Sequence, residues 1–153
     1  MNRKIGLVAV ALIAVLMPII VVSSSCECGP PQNINVEIIA PLHVAKGEEF
    51  TFEVRVKNTA GKPQLLYTID IWDEYMEGIF VQKTEPPFMD CYHIPVDNTQ
   101  CYEFNKDIRA NSELAIKFYA VGIEPGNYSS YLDVCIGKGG SFASYPILTI
   151  VED

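Results

Sequence analysis

Met89, Cys91 and His93 stand at alternate positions in "FMDCYHIPVDNTQC", and Cys101 closes the stretch. On an extended chain alternate side chains share one side, so a thioether, a thiolate and an imidazole would face the same way. Those are the ligand types that favour copper or another soft metal. The same stretch also supports a disulfide. Pro95, Asp97 and Asn98 lie between Cys91 and Cys101. A hairpin turning near Val96 would oppose the two cysteines, and opposed Cα atoms lie about 4.5 to 5.5 Å apart, within disulfide reach. Closing that loop would contribute roughly 3 kcal/mol in the chain-entropy model. The bridge would consume the thiolate a metal needs, and it is the simpler expectation outside a cell.

Other groups invite a site reading. "DIWDEYMEG" gathers Asp70, Asp73, Glu74 and Glu77, oxygen ligands of the kind calcium takes, although their spacing fits no calcium-loop pattern. In the same stretch Trp72, Tyr75 and Met76 are candidates for an exposed contact patch or for rim and core aromatics. Asn127 opens the sequon "NYS" and is an expected glycosylation site if the chain is exported. "GKGGSF" reads as a loop between the last two strands, since neither a helix nor a lysine-serine pair follows it. For copper, the blue-copper order of Cys, His and Met is reversed here, and His43 is the only other histidine. No serine stands in a nucleophile-elbow setting and no carboxylate cluster has a partner base, so the chain is read as a non-enzyme with no cofactor implied.

The N-terminus bears on compartment. Arg3 and Lys4 precede an uncharged apolar run of 18 residues, Ile5 to Val22, followed by "SSSCECGPP". Residues 1–25 are thus expected to be a signal peptide or a membrane anchor, with the remainder outside. Cys26, directly after small residues, is a candidate for lipidation, as in a lipoprotein, and residues 26–33 form a linker. Residues 34–153 fit one domain. Without Arg3 and Lys4 the 11 basic residues fall to 9 against 19 acidic ones, so the exported part carries a net charge of −10. Such a surface repels nucleic acid and anionic lipid and favours cations or basic partners. The pairing of Cys28 and Cys135 stays open.

The elements that position these groups follow from periodicity. Phe50, Phe52, Val54 and Val56 alternate with polar residues, as do Ile34, Val36 and Ile38, and later Leu114, Ile116, Phe118 and Ala120. Leu65, Tyr67, Ile69 and Ile71 are read as one inward set of "QLLYTIDIW". Seven or eight short strands with turn clusters between them predict an all-β, immunoglobulin-like antiparallel sandwich. Pro146 marks the last strand as beginning at an edge, and the alternation around Cys135 places it on an outer face. Gly126 and Tyr128, entering the strand of Leu132, Val134 and Ile136, are placed like the corner tyrosine of such sandwiches.

On "KGEEFTFEVRVKNTAGKP" and "IRANSELAIKFYAVGIEPGNYSSYLDV", the chain from Ile34 to Val151 resembles the CARDB-like and S-layer-associated immunoglobulin-like domains of microbial surface proteins. The resemblance implies a non-catalytic module at the cell surface that binds another surface protein or a glycan. Two other roles are carried beside it. One is an envelope or filament subunit in which "NINVEIIAP" adds as a strand to a neighbour's sheet. The other is a copper-handling protein using Met89, Cys91 and His93.

Overall fold

The structure is a computed structural model and describes residues 29–153; the apolar run, Cys26 and Cys28 lie outside the described residues. Ten strands and one helical turn follow in chain order. They are β1 (Ile34–Ile39), β2 (His43–Ala45), β3 (Glu49–Asn58), β4 (Gln64–Trp72), α1 (Asp73–Met76), β5 (Ile79–Glu85), β6 (Asp90–Ile94), β7 (Thr99–Ile108), β8 (Ser112–Gly122), β9 (Gly126–Ile136) and β10 (Ser141–Glu152). They form a sandwich of two sheets, one ordered β1-β3-β8-β5 and the other β2-β10-β9-β4-β7-β6. All pairings are antiparallel except the short contact of β2 with β10. The immunoglobulin-like sandwich expected from periodicity is the fold. Its strands exceed the expected number because β2 is only three residues long and β6 has no buried residue to give it an alternation.

Alternation sets the core. Phe52, Val54 and Val56 of β3 and Ile116, Phe118 and Ala120 of β8 are buried, facing Tyr102 and Phe104 of β7 and Leu132 and Val134 of β9. β4 departs from the expected pattern. A bulge between Leu66 and Thr68 inserts one residue, so Leu66, Ile69 and Ile71 are the fully buried set, and Leu65 and Tyr67 are not part of it. A bulge changes the face of every residue beyond it, and nothing in the local alternation marks the insertion.

The corner tyrosine is present. Tyr128 donates its hydroxyl to the Glu124 carbonyl at 2.9 Å, bracing the entry to β9. Its ring packs against Gly78, where an added Cβ would come within 1.8 Å of the ring. Gly78→Ala must therefore displace Tyr128 and break the corner, an expected loss of about 2 kcal/mol by chemical denaturation. In a Tyr128→Leu background the same substitution should cost less than half as much; equal costs in both backgrounds would disconnect Gly78 from the corner.

β10 runs along β9 from Ser141 to Val151 but meets β2 only at Ile150, Val151 and Glu152, so Pro146 sits on an open edge as expected. The segment "NINVEIIAP" is engaged within its own chain, Ile34 to Ile39 pairing with Asn58 to Glu53. The strand that the self-assembly alternative would donate is thus β1 of this sandwich.

Candidate functional site

The β6–β7 hairpin decides the fate of the opening stretch. Pro95 to Asn98 form a four-residue loop, with Asn98 at a φ of 52°, and Ile94 pairs with Thr99. That loop is one residue off the turn at Val96 that the disulfide requires. Cys91 therefore opposes Tyr102, while Cys101 opposes Tyr92. A slip of one residue sends a side chain to the other face, so the expected Cys91–Cys101 disulfide is not formed. Among the described residues Cys91, Cys101 and Cys135 form no disulfide with one another; Cys91 is exposed and Cys101 buried.

The other sequence candidates disperse. Met89 is 68% exposed. The Cys91 sulfur accepts from Gln100 Nε2 at 3.1 Å, and His93 Nε2 meets Asp73 Oδ2 at 2.9 Å. The four acidic residues do not converge either: Asp73 serves His93, Glu74 accepts from Ser130 at 3.3 Å, Glu77 follows α1, and Asp70 lies on the sheet. Among the described residues, no three His, Cys, Asp or Glu side chains are grouped to hold a metal ion. Asn127 is exposed as the second residue of β9. Tyr75 is fully buried, its hydroxyl 2.9 Å from that of Thr149, whereas Trp72 is half-buried on the outside of the sheet.

What the fold brings together instead is a row across the outer face of the six-stranded sheet. Cys101 on β7 opposes Asp70 on β4, Asp70 opposes Asp133 on β9, and Asp133 opposes Ser144 on β10. One row away, Cys135 stands between Thr68 and Phe142; on the other side Trp72 opposes Thr99. The outer placement expected for Cys135 is the observed one. Its sulfur reaches Asp70 Oδ2 at 3.5 Å. Trp72 Nε1 donates to Asp133 Oδ2 at 3.1 Å, Ser144 donates to Asp133 Oδ1, and the indole lies 5.7 Å from the Tyr131 ring. Together Asp70, Trp72, Asp97, Thr99, Asp133, Cys135 and Phe142 line a cleft of about 400 Å³.

The electrostatics of this cleft are unfavourable to folding. Two carboxylates stand directly opposite on neighbouring strands, a like-charge pair that destabilises a sheet. Burial, which penalises the charged form, pushes the Asp70 carboxyl above its usual range. Its Oδ1 and the hydroxyl of Thr99 are buried with no hydrogen-bond partner among the described residues. Because the folded state holds the Asp70 proton more tightly than the unfolded chain does, stability from this group is gained as pH falls through its folded value and is lost above it. Asp70→Asn should therefore raise the unfolding free energy measured by urea denaturation at pH 7 by about 0.5–2 kcal/mol, with the advantage shrinking towards pH 4. A destabilised variant at pH 7 would contradict this account of the cleft.

The thiols follow the same physics. Burial, then the Asp70 charge, pushes Cys135 up to about 12, and burial does the same to Cys101. A thiol so held is neutral near pH 7 and a poor nucleophile. In folded protein at pH 8 without reductant, peptide mapping after iodoacetamide should find Cys91 labelled first, and Cys101 and Cys135 labelled only after denaturation. Early labelling of Cys101 would refute the hairpin register.

Sequence reasoning missed Asp133, Thr99 and Phe142. The available signal was a carboxylate in the middle of two hydrophobic strands, "TIDIW" and "YLDVC"; which strands adjoin is set by long-range topology.

The fold and the face define an immunoglobulin-like β-sandwich with one decorated outer sheet. No family model and no curated protein matches the chain. Among solved structures it is similar to the cupredoxin domain of amoB from Nitrosocaldus yellowstonii, at 10% identity and a TM-score of 0.52 over 81% of this chain and 90% of that one. Spo0M, a sporulation control protein from Bacillus subtilis, aligns at 16% identity and a TM-score of 0.50, over 79% of this chain and 50% of the other. The CARDB domain of PF1109 from Pyrococcus furiosus, the kind of domain the sequence resembles, is also among the similar structures, at 14% identity and a TM-score of 0.44 over 77% and 94%. These likenesses concern the fold.

Proposed function

We propose that this protein is a non-catalytic, membrane-tethered module on the outer side of the cytoplasmic membrane, and that it binds another surface protein through the outer face of its six-stranded sheet. The carrying observation is the difference between its two outer faces. On the four-stranded sheet, Arg55 pairs with Glu53 at 2.5 Å and Glu37 at 3.5 Å, and Lys57 stands opposite Glu113, so the charges there neutralise one another. The six-stranded sheet instead groups Tyr131, 48% exposed, Phe142 at 50% and Leu148 at 38% on the adjacent strands β9 and β10 beside the acidic cleft, whereas Phe80 and Ile39 of the four-stranded sheet are exposed singly, on its opposite edge strands β5 and β1. Apolar and aromatic side chains grouped beside unpaired polar ones are the composition of a contact surface. The apolar run and Cys26 support the tether.

A photo-cross-linking residue at position 142 of the full chain, in the envelope of the source organism, should give one defined protein adduct, and the same residue at position 57 none. Equal adducts from both positions, or none from 142, would remove the reading.

A further inference from the structure

We propose that the cleft between Trp72 and Phe142 is a subsite for a guanidinium group, carried by an arginine side chain of the protein that docks on this face. The proposal rests on the reading of that face as the contact surface and names the chemistry of its partner. Three carboxylates, Asp70, Asp97 and Asp133, line the cleft, and among the described residues no basic side chain does. Asp133 is held in place by Trp72 and Ser144, yet each of its oxygens keeps a second lone pair. Thr99, only 3% exposed, lines the cleft with a hydroxyl that has no partner among the described residues, and the buried Asp70 Oδ1 likewise has none. Turning the Asp70 carboxylate about its Cβ–Cγ bond would present an oxygen lone pair to an incoming donor.

The ligand that answers this set carries several N–H donors, a positive charge and a face that stacks on aromatic rings. A guanidinium has all three: five donors in a planar fork, a permanent charge and a weakly hydrated face. A metal ion would draw nothing from the aromatic walls, and the carboxylates and thiols are not grouped as a ligand set. A neutral sugar would stack on Trp72 but would leave the carboxylates uncompensated. The cation also supplies the counter-charge that Asp70 and Asp133 lack, which accounts for a like-charge pair at the centre of an otherwise well-packed sheet. The net charge of the chain, −8 overall, steers such a partner towards the surface.

Trp72 is the only tryptophan in the chain, so its fluorescence reports on this cleft alone. The full chain in zwitterionic micelles would be titrated with the peptide acetyl-Gly-Arg-Gly-amide, its citrulline and lysine counterparts, and a neutral glucose oligomer. The arginine peptide should give a saturable change. Citrulline, isosteric but uncharged, should bind at least about tenfold more weakly, as should arginine to Asp70→Asn. Thr99→Val should weaken arginine binding to a smaller degree, and Glu113→Gln, on the other sheet, should leave it unchanged. Since Asp70→Asn is expected to stabilise the fold, loss of binding in that variant cannot come from unfolding. An absent or unsaturable response, lysine or citrulline binding as tightly as arginine, indifference to Asp70→Asn, or saturation by the glucose oligomer alone would each overturn the proposal. A failed titration alongside a cross-link from position 142 removes the arginine subsite and leaves the contact face standing; failure of both removes the face as well.

Discussion

Phe118→Ala is expected to lower the unfolding free energy by about 4 kcal/mol, the range for deleting a fully buried aromatic ring. Phe118 on β8 is stacked on Phe52 of β3 at 4.7 Å between ring centroids, with planes 4° apart. From the opposite sheet, the edges of Tyr102 and Phe104 on β7 meet it at 5.5 and 6.2 Å. Edge-to-face and offset-stacked contacts each add to area burial, and this cluster is where the two sheets interdigitate. Truncation leaves a cavity that the remaining rings, Phe52 on β3 and Tyr102 and Phe104 on β7, cannot fill. Phe118→Leu, keeping most of the volume, should lose less than half as much. Urea denaturation decides it: a loss for Phe118→Ala within 1 kcal/mol of zero would mean that the sheets are held together elsewhere.

Asn58→Ala should cost about 3 kcal/mol or more, by a different cause. Asn58 is fully buried at the end of β3. Its Nδ2 donates to the carbonyls of Lys62 at 2.8 Å, Ile108 at 3.0 Å and Arg109 at 3.2 Å. Its Oδ1 accepts from the Ala60 amide at 2.9 Å and Gln64 Nε2 at 3.0 Å. One side chain thus closes the β3–β4 turn and ties it to the end of β7. Deleting it strands several polar groups at once, which is costlier than removing a matched pair. Asn58→Asp tests the polarity of the arrangement. It replaces the donor with a carboxylate facing three carbonyls, so the folded state favours the protonated acid, and this variant should be more stable at pH 4 than at pH 7 relative to Asn58→Ala. The reverse pH trend would mean that the three carbonyls do not converge on this side chain.

Much of this fold is legible from alternation. The inward sets Phe52, Val54 and Val56, and Ile116, Phe118 and Ala120, are each visible as period-two runs, and Tyr128 after Gly126 announces the corner. What escaped is whatever depends on a single inserted residue. The bulge at Leu66 and Thr68 and the four-residue loop after Ile94 each shift parity by one. The first moved Leu65 and Tyr67 out of the expected core, and the second put Cys91 and Cys101 on opposite faces. The cleft was hidden for another reason. Cys101, Asp70, Asp133 and Ser144 come from four strands whose lateral order, β7-β4-β9-β10, is not sequential, so no local spacing brings them together. Proximity along the chain groups Asp70 with Asp73, Glu74 and Glu77. In the sheet its neighbours are two thiols and a second aspartate.

The proposed contact face can be tested most directly by hydroxyl-radical footprinting of the full chain, in cells of the source organism and after purification. If that face binds a partner, Trp72, Tyr131, Phe142 and Leu148 are protected in cells, while Phe80, 55% exposed on β5, and Ile39, 43% exposed on β1, react equally in both settings. Protection at Phe80 and Ile39 with none at Phe142 would contradict it, and would place the binding surface on the four-stranded sheet instead.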